Sequence, residues 1–161
     1  MPGNYYHFVT PWHINAPVED IWPLISDATT FSRWWPKVFL EITPLDDDPG
    51  PGKAGRRLDF HTKGWLPYHL RWTGRVTEVD PPRRLVIQAA GDFNGRAIWN
   101  LAPEASGTLV MLDWEISADM PFLRYFSPVF RPLFEWNHRW SMAQGEEGLR
   151  AELQRTGKLN A

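Results

Sequence analysis

The chain's apolar and polar positions change rhythm twice. An opening run from Tyr6 to Ile14 predicts a strand, and Pro17-Val18-Glu19-Asp20 then starts a helix. That start puts Pro17 at the first helical position, with Ala16 in the cap position and two acids at the positive dipole end. Val18, Ile21 and Ile25 keep helical spacing, flanked by Trp22 and Leu24, and Pro23 predicts a kink or an early end. Asp27 is placed to cap a second short helix through Phe31, Trp34 and Trp35, which Pro36 stops.

From Val38 to Ile116 the period is two. Val38, Leu40 and Ile42 alternate ahead of an Asp-rich, Pro/Gly-rich turn over residues 46–52. Leu58, Phe60 and Thr62 alternate with Arg57, Asp59, His61 and Lys63. Leu70, Trp72, Gly74 and Val76 alternate with His69, Arg71, Thr73 and Arg75. One apolar and one charged face per run is the pattern of an antiparallel sheet wet on one side. A turn at Trp65-Leu66-Pro67 sets Phe60 opposite Trp72 and His61 opposite Arg71. Asp80-Pro81-Pro82-Arg83-Arg84 turns into Leu85-Val86-Ile87. Phe93, Gly95, Ala97, Trp99 and Leu101 share a face, as do Thr108, Val110, Leu112, Trp114 and Ile116.

Helical periodicity then returns. Ser127-Pro128 is a cap and first-position pair, with Pro132 one turn later as the alternative start. The helix runs to about Arg155, with Gly157 as its stop. Its expected inner face carries Phe130, Leu133, Trp136, Asn137, Trp140 and Gln144.

The predicted order is a strand, two short helices, an antiparallel meander and one long helix, an α+β arrangement. Large rings (Phe60, Trp72, Phe93, Trp99, Trp114) alternate with small residues (Gly74, Ala89, Gly95, Ala97) on the apolar face. Glycine in strands permits strong curvature, and a curved sheet around a helix leaves room between them. That space is expected to hold a ligand, because apolar pockets with a few polar groups are the usual small-molecule sites.

Composition narrows the chemistry. The 161 residues match the size of a single domain covering 1–161. The net charge of −2 argues against nucleic-acid binding. There is no cysteine, which excludes disulfides, zinc–thiolate sites and cysteine nucleophiles. The ring inventory is 10 Trp, 9 Phe and 4 Tyr, enough to line an enclosure as well as fill a core. No apolar run has the length of a transmembrane segment and the start lacks a secretory pattern, so a cytoplasmic location is expected.

Several segments together resemble START-like, helix-grip proteins of the SRPBCC superfamily, in the polyketide cyclase/dehydrase-type branch. They are Ile14 to Trp22, Trp34-Trp35-Pro36, Val76 to Leu85, Leu101-Ala102-Pro103 with Gly107-Thr108, and Glu146-Glu147-Gly148-Leu149. The resemblance spans about residues 6 to 155. It implies a helix-grip fold: a curved antiparallel sheet of about seven strands wrapped around a long C-terminal helix, with two short helices between strands 1 and 2. It also implies a cavity for a hydrophobic aromatic, polyketide-like or lipidic molecule, with cyclase or aromatase chemistry as the alternative.

Trp34, Phe60, Thr62, Trp72, Phe93, Trp99, Trp114, Phe130, Leu133, Asn137 and Trp140 are the expected ligand-binding residues. Asn137, His138 and Arg33 are the candidates for catalysis, with His138 one step off the inner face. Arg71 and Arg75 fall on the wet face, which weakens an aromatase reading. His61 and His69 share that face without an evident third ligand beyond Asp59, so neither a metal nor a cofactor is expected. The partner expected is a hydrophobic small molecule, the chain being a monomer or a homodimer. Residues 120–130, rich in aromatic and apolar side chains, fit a gate, a dimer patch, a membrane-touching edge or plain packing.

Overall fold

The computed structural model describes residues 5–45, 48–66, 69–118 and 121–159, with backbone only for 5, 118 and 121–130. β1 (Tyr5–Ile14) leads into α1 (Val18–Ser26), a 3₁₀ turn (Ala28–Thr30) and α2 (Phe31–Trp34). Six strands follow: β2 (Phe39–Pro44), β3 (Arg57–Lys63), β4 (His69–Asp80), β5 (Arg84–Gly91), β6 (Phe93–Glu104) and β7 (Gly107–Ala118). The last element is α3 (Pro121–Arg155). The strands form one antiparallel sheet in the order β1-β7-β6-β5-β4-β3-β2. The chain therefore crosses from one sheet edge to the other through the short helices and returns as a meander.

Register follows the alternation. Phe60 pairs with Trp72 and His61 with Arg71, which keeps the ring-bearing faces of β3 and β4 together. Leu58, Phe60, Thr62, Trp72 and Val76 are buried, whereas Arg71 and Arg75 are exposed on the outer face. On that face His61 Nε2 lies 2.6 Å from His69 Nδ1. Among the described residues no group of three His, Cys, Asp or Glu is arranged to hold a metal ion.

Four boundaries or faces differ from expectation. α1 begins one residue late, because Pro17 (φ −70°, ψ 157°) is extended and occupies the cap position itself. Pro23 does not end α1, which continues to Ser26: Ile21 and Ile25 are fully buried, and that packing outweighs one missing hydrogen bond. In β2 the pairing shifts between Phe39 and Glu41, so Phe39 packs against Phe31, Trp35 and Phe60 while Leu40 is left exposed. α3 starts neither at Ser127 nor at Pro132 but runs unbroken from Pro121 for 35 residues. Pro132 is exposed, where water can satisfy the carbonyl that its ring leaves unpaired.

The helix ends at its expected stop. Gly157 takes φ 73°, its N–H bonds the Gln154 carbonyl, and the Lys158 N–H bonds the Leu153 carbonyl, closing α3 with a Schellman cap. Asp27 accepts from the Thr29 amide and so caps the 3₁₀ turn ahead of α2. Its other role is to hold β3's approach to the helices. Buried Arg56 donates Nη1 to Asp27 and Nε to Asp48, both at 2.9 Å. Burial works against the Asp27 charge, but the Thr29 and Arg56 hydrogen bonds outweigh it and keep the carboxyl below its usual range.

Candidate functional site: a ring-lined cavity

α3 crosses the sheet's inner face at close range. A Cβ on Gly148 would lie 1.7 Å from the Trp34 carbonyl oxygen, and one on Gly145 2.5 Å from the Trp35 ring. These glycines let the helix backbone rest directly on the end of α2. Farther toward the N-terminus of α3 the partners are bulky rings, and the two layers separate. A cavity of about 170 Å³ lies between them.

The rings divide into two groups. Trp12, Phe31, Trp35 and Trp99 interlock with centroid separations of 5.5 to 6.5 Å and close the core beside the short helices. Phe60, Trp72, Phe93 and Trp114 form a wall across β3, β4, β6 and β7. In that wall Phe60 stacks on Trp72 at 4.1 Å, and Trp72 meets Phe93 at 5.1 Å and Trp114 at 6.0 Å. All four line the cavity, with Thr62 and Trp99 also on the sheet side and Asn137 and His138 on the helix side.

Other expected residues lie elsewhere. Trp34 is buried against Phe31 and Trp35, its indole N–H donating to Thr30 Oγ1 at 3.0 Å, and does not reach the cavity. Arg33 points to the opposite end, donating to Glu152 at 2.7 Å. Leu133 is exposed, and half-buried Trp140 packs on the core without lining the cavity. Phe130's side chain lies outside the described residues, as do those of the 120–130 patch. The helix face is turned by about one residue from the expected one, on the order of 100°. Phe134, His138, Ser141 and Met142 face the cavity instead, and Asn137, of the expected face, lines it with them.

Several lining residues lie outside the expected set: Tyr6 and Phe8 of β1, with Trp35 and Phe39. The parity of Tyr6 and Phe8 with buried Trp12 and Ile14 carries the signal for the first two. The i, i+4 spacing of Phe134, His138 and Met142 carries it for the helix.

The wall's polar atoms are mostly engaged. Thr62 Oγ1 accepts from the Trp72 indole at 3.1 Å. Asn137 Oδ1 accepts from the Leu66 amide at 2.9 Å and ties the β3–β4 loop to α3. A Cβ on Gly64 would lie 2.5 Å from that same oxygen, so only glycine fits there without displacing Asn137. Trp65 and Trp136 meet edge to face at 4.8 Å over this junction, both exposed. His138 is buried and stacks on Phe8 at 3.9 Å with an interplanar angle of 13°. Burial, with Arg139 adding to it, lowers its pKa to about 4, so the imidazole is neutral at pH 7. No carboxylate lines the cavity among the described residues.

A family model described as polyketide cyclase/dehydrase and lipid transport matches residues 6–154. The chain belongs to this family. No curated protein matches it in sequence. Solved structures place the polyketide cyclase/dehydrase chain among helix-grip folds. The Zhui aromatase/cyclase from a Streptomyces species is similar over 94% of this chain and 94% of its own, at 13% identity and TM-score 0.70. A protein from Thermus thermophilus, TTHA0849, is similar over 92% and 98%, at 20% identity and TM-score 0.69. The ginseng major latex-like protein 151 from Panax ginseng is similar over 92% and 97%, at 8% identity and TM-score 0.67. At these identities the likeness is one of fold. No helix among the described residues is long and apolar enough to cross a membrane.

Proposed function

We propose that this member of the polyketide cyclase/dehydrase and lipid transport family binds a hydrophobic small molecule, aromatic, polyketide-like or lipidic, between its sheet and α3. The observation that carries this reading is the wall of Phe60, Trp72, Phe93 and Trp114 facing open volume rather than filling it. Apolar cavities of about 150 Å³ accept benzene-sized guests, so about 170 Å³ suits one ring or a short chain. Native mass spectrometry of protein purified from its own host tests this. The expected result is a retained apolar molecule that is displaced by denaturation. A protein that carries no guest, and binds none from a panel of single-ring and short-chain compounds, sinks the reading.

A second reading is a cyclase or aromatase acting on such a guest, with Asn137 and His138 acting on it. The placement of both side chains on the cavity lining favours it. With its pKa at about 4, the His138 imidazole is neutral but weakly basic at pH 7, which suits holding a polar group of the guest by hydrogen bonding better than abstracting a proton. Turnover of an accepted substrate that survives both Asn137→Ala and His138→Ala removes these residues from that role.

A further inference from the structure

We propose that the cavity's guest is a neutral aromatic alcohol, a phenol in the simplest case, whose hydroxyl pairs with Nε2 of His138. This rests on the reading that the cavity holds a guest and adds what that guest must carry. Two buried side-chain nitrogens lack a hydrogen-bond partner among the described residues, Trp12 Nε1 and His138 Nε2. Only His138 lines the cavity. Three other polar side chains of the wall each already make one hydrogen bond: Thr62 Oγ1 accepts from the Trp72 indole, Asn137 Oδ1 accepts from the Leu66 amide, and Ser141 Oγ donates to the Asn137 carbonyl. A buried nitrogen without a partner forfeits the hydrogen bond it had to water, so each one calls for an explanation.

The surroundings define the missing group. Phe8 stacks on the imidazole and fixes its plane, leaving the ring edge as the place for a hydrogen bond. The ring is uncharged at pH 7, so it offers no ion pair to a carboxylate or phosphate. Lys63, at the end of β3, is among the residues that line the cavity, although its position has the outward parity of Asp59 and His61. A hydroxyl fits whichever imidazole tautomer is present, since it both donates and accepts, whereas a carbonyl fits only one. The ring wall supplies the aromatic half of the guest's complement.

The probes are p-cresol and toluene, which differ by one hydroxyl. Without a partner in the cavity, p-cresol should bind more weakly, because its hydroxyl loses water and gains nothing. The expected result by calorimetry at pH 7 is p-cresol binding at least tenfold tighter than toluene. His138→Phe keeps the stack on Phe8 and should reverse that order with toluene affinity retained. His138→Gln, whose amide reaches about where Nε2 stood, should restore part of the preference. As a check independent of any variant, the His138 ¹⁵Nε2 resonance should move on adding p-cresol and stay still with toluene. Toluene binding as tightly as p-cresol to the unaltered protein overturns the proposal and leaves the cavity reading standing. So does a preference that persists in His138→Phe, or a ¹⁵Nε2 resonance unmoved by bound p-cresol. Binding of neither probe overturns the proposal, while the cavity reading falls only if the protein also retains no guest and binds no other single-ring or short-chain compound.

Discussion

His138 shows how much one side chain's environment decides. In the unfolded chain its imidazole titrates near 6.5, and in the fold near 4. Between those values the unfolded chain binds a proton that the native state refuses, so falling pH favours unfolding. The stabilising difference is fully present above pH 6.5 and is lost progressively down to pH 4, at up to about 1.4 kcal/mol per pH unit. Denaturant titrations at pH 7, 6, 5 and 4.5 should show that decline, and His138→Phe should flatten it. An equal slope in both proteins would mean that other groups carry the acid sensitivity. The sequence marked His138 as a candidate but set it off the inner face. Its burial depends on the rotation of α3, which only its i, i+4 spacing with Phe134 and Met142 signals.

At the scale of elements, strands were legible and helix orientation was not. The two-residue period of β3 and β4 leaves one choice of inner face, and a single-residue slip would bury Arg71 and Arg75. The bulge between Phe39 and Glu41 broke that rule locally, because an inserted residue flips parity without changing composition. For α3, size governs instead of hydrophobicity. Gly145 and Gly148 face Trp35 and Trp34, which turns Leu133 and Trp136 outward although they are the more apolar residues. Gly148→Ala should therefore cost about 1–3 kcal/mol, the usual penalty for overpacking, since the added carbon meets a backbone carbonyl that cannot rotate away. Ala151→Gly, at an exposed position of the same helix, is the control and should cost about 1 kcal/mol through helix propensity alone. Thermal or urea unfolding distinguishes a helix seated on α2 from one that merely passes over it: in the second case Gly148→Ala would stabilise the protein.

For the whole molecule, the question is why so ring-rich a chain does not fill itself. Fourteen per cent aromatic residues are ample to pack one core, and half of the sheet does so around Trp12, Trp35 and Trp99. The cavity survives because two constraints act at different places. The glycines draw α3 down at one end, while Phe134, His138 and the ring wall prop it away from the sheet at the other. Small residues such as Ala97, buried among Trp114, Ile87 and Trp99 on the wall, then leave the volume that a larger side chain would take. Natural packing rarely leaves such space, and filling a cavity commonly adds about 0.5–2 kcal/mol of stability. Ala97→Leu should thus hold or raise the unfolding midpoint while lowering affinity for a single-ring guest such as p-cresol by tenfold or more. Measured together, stability and affinity separate two accounts of the space. If it exists for a guest, the variant gains order and loses binding. If it is a packing defect, the variant gains order and loses nothing.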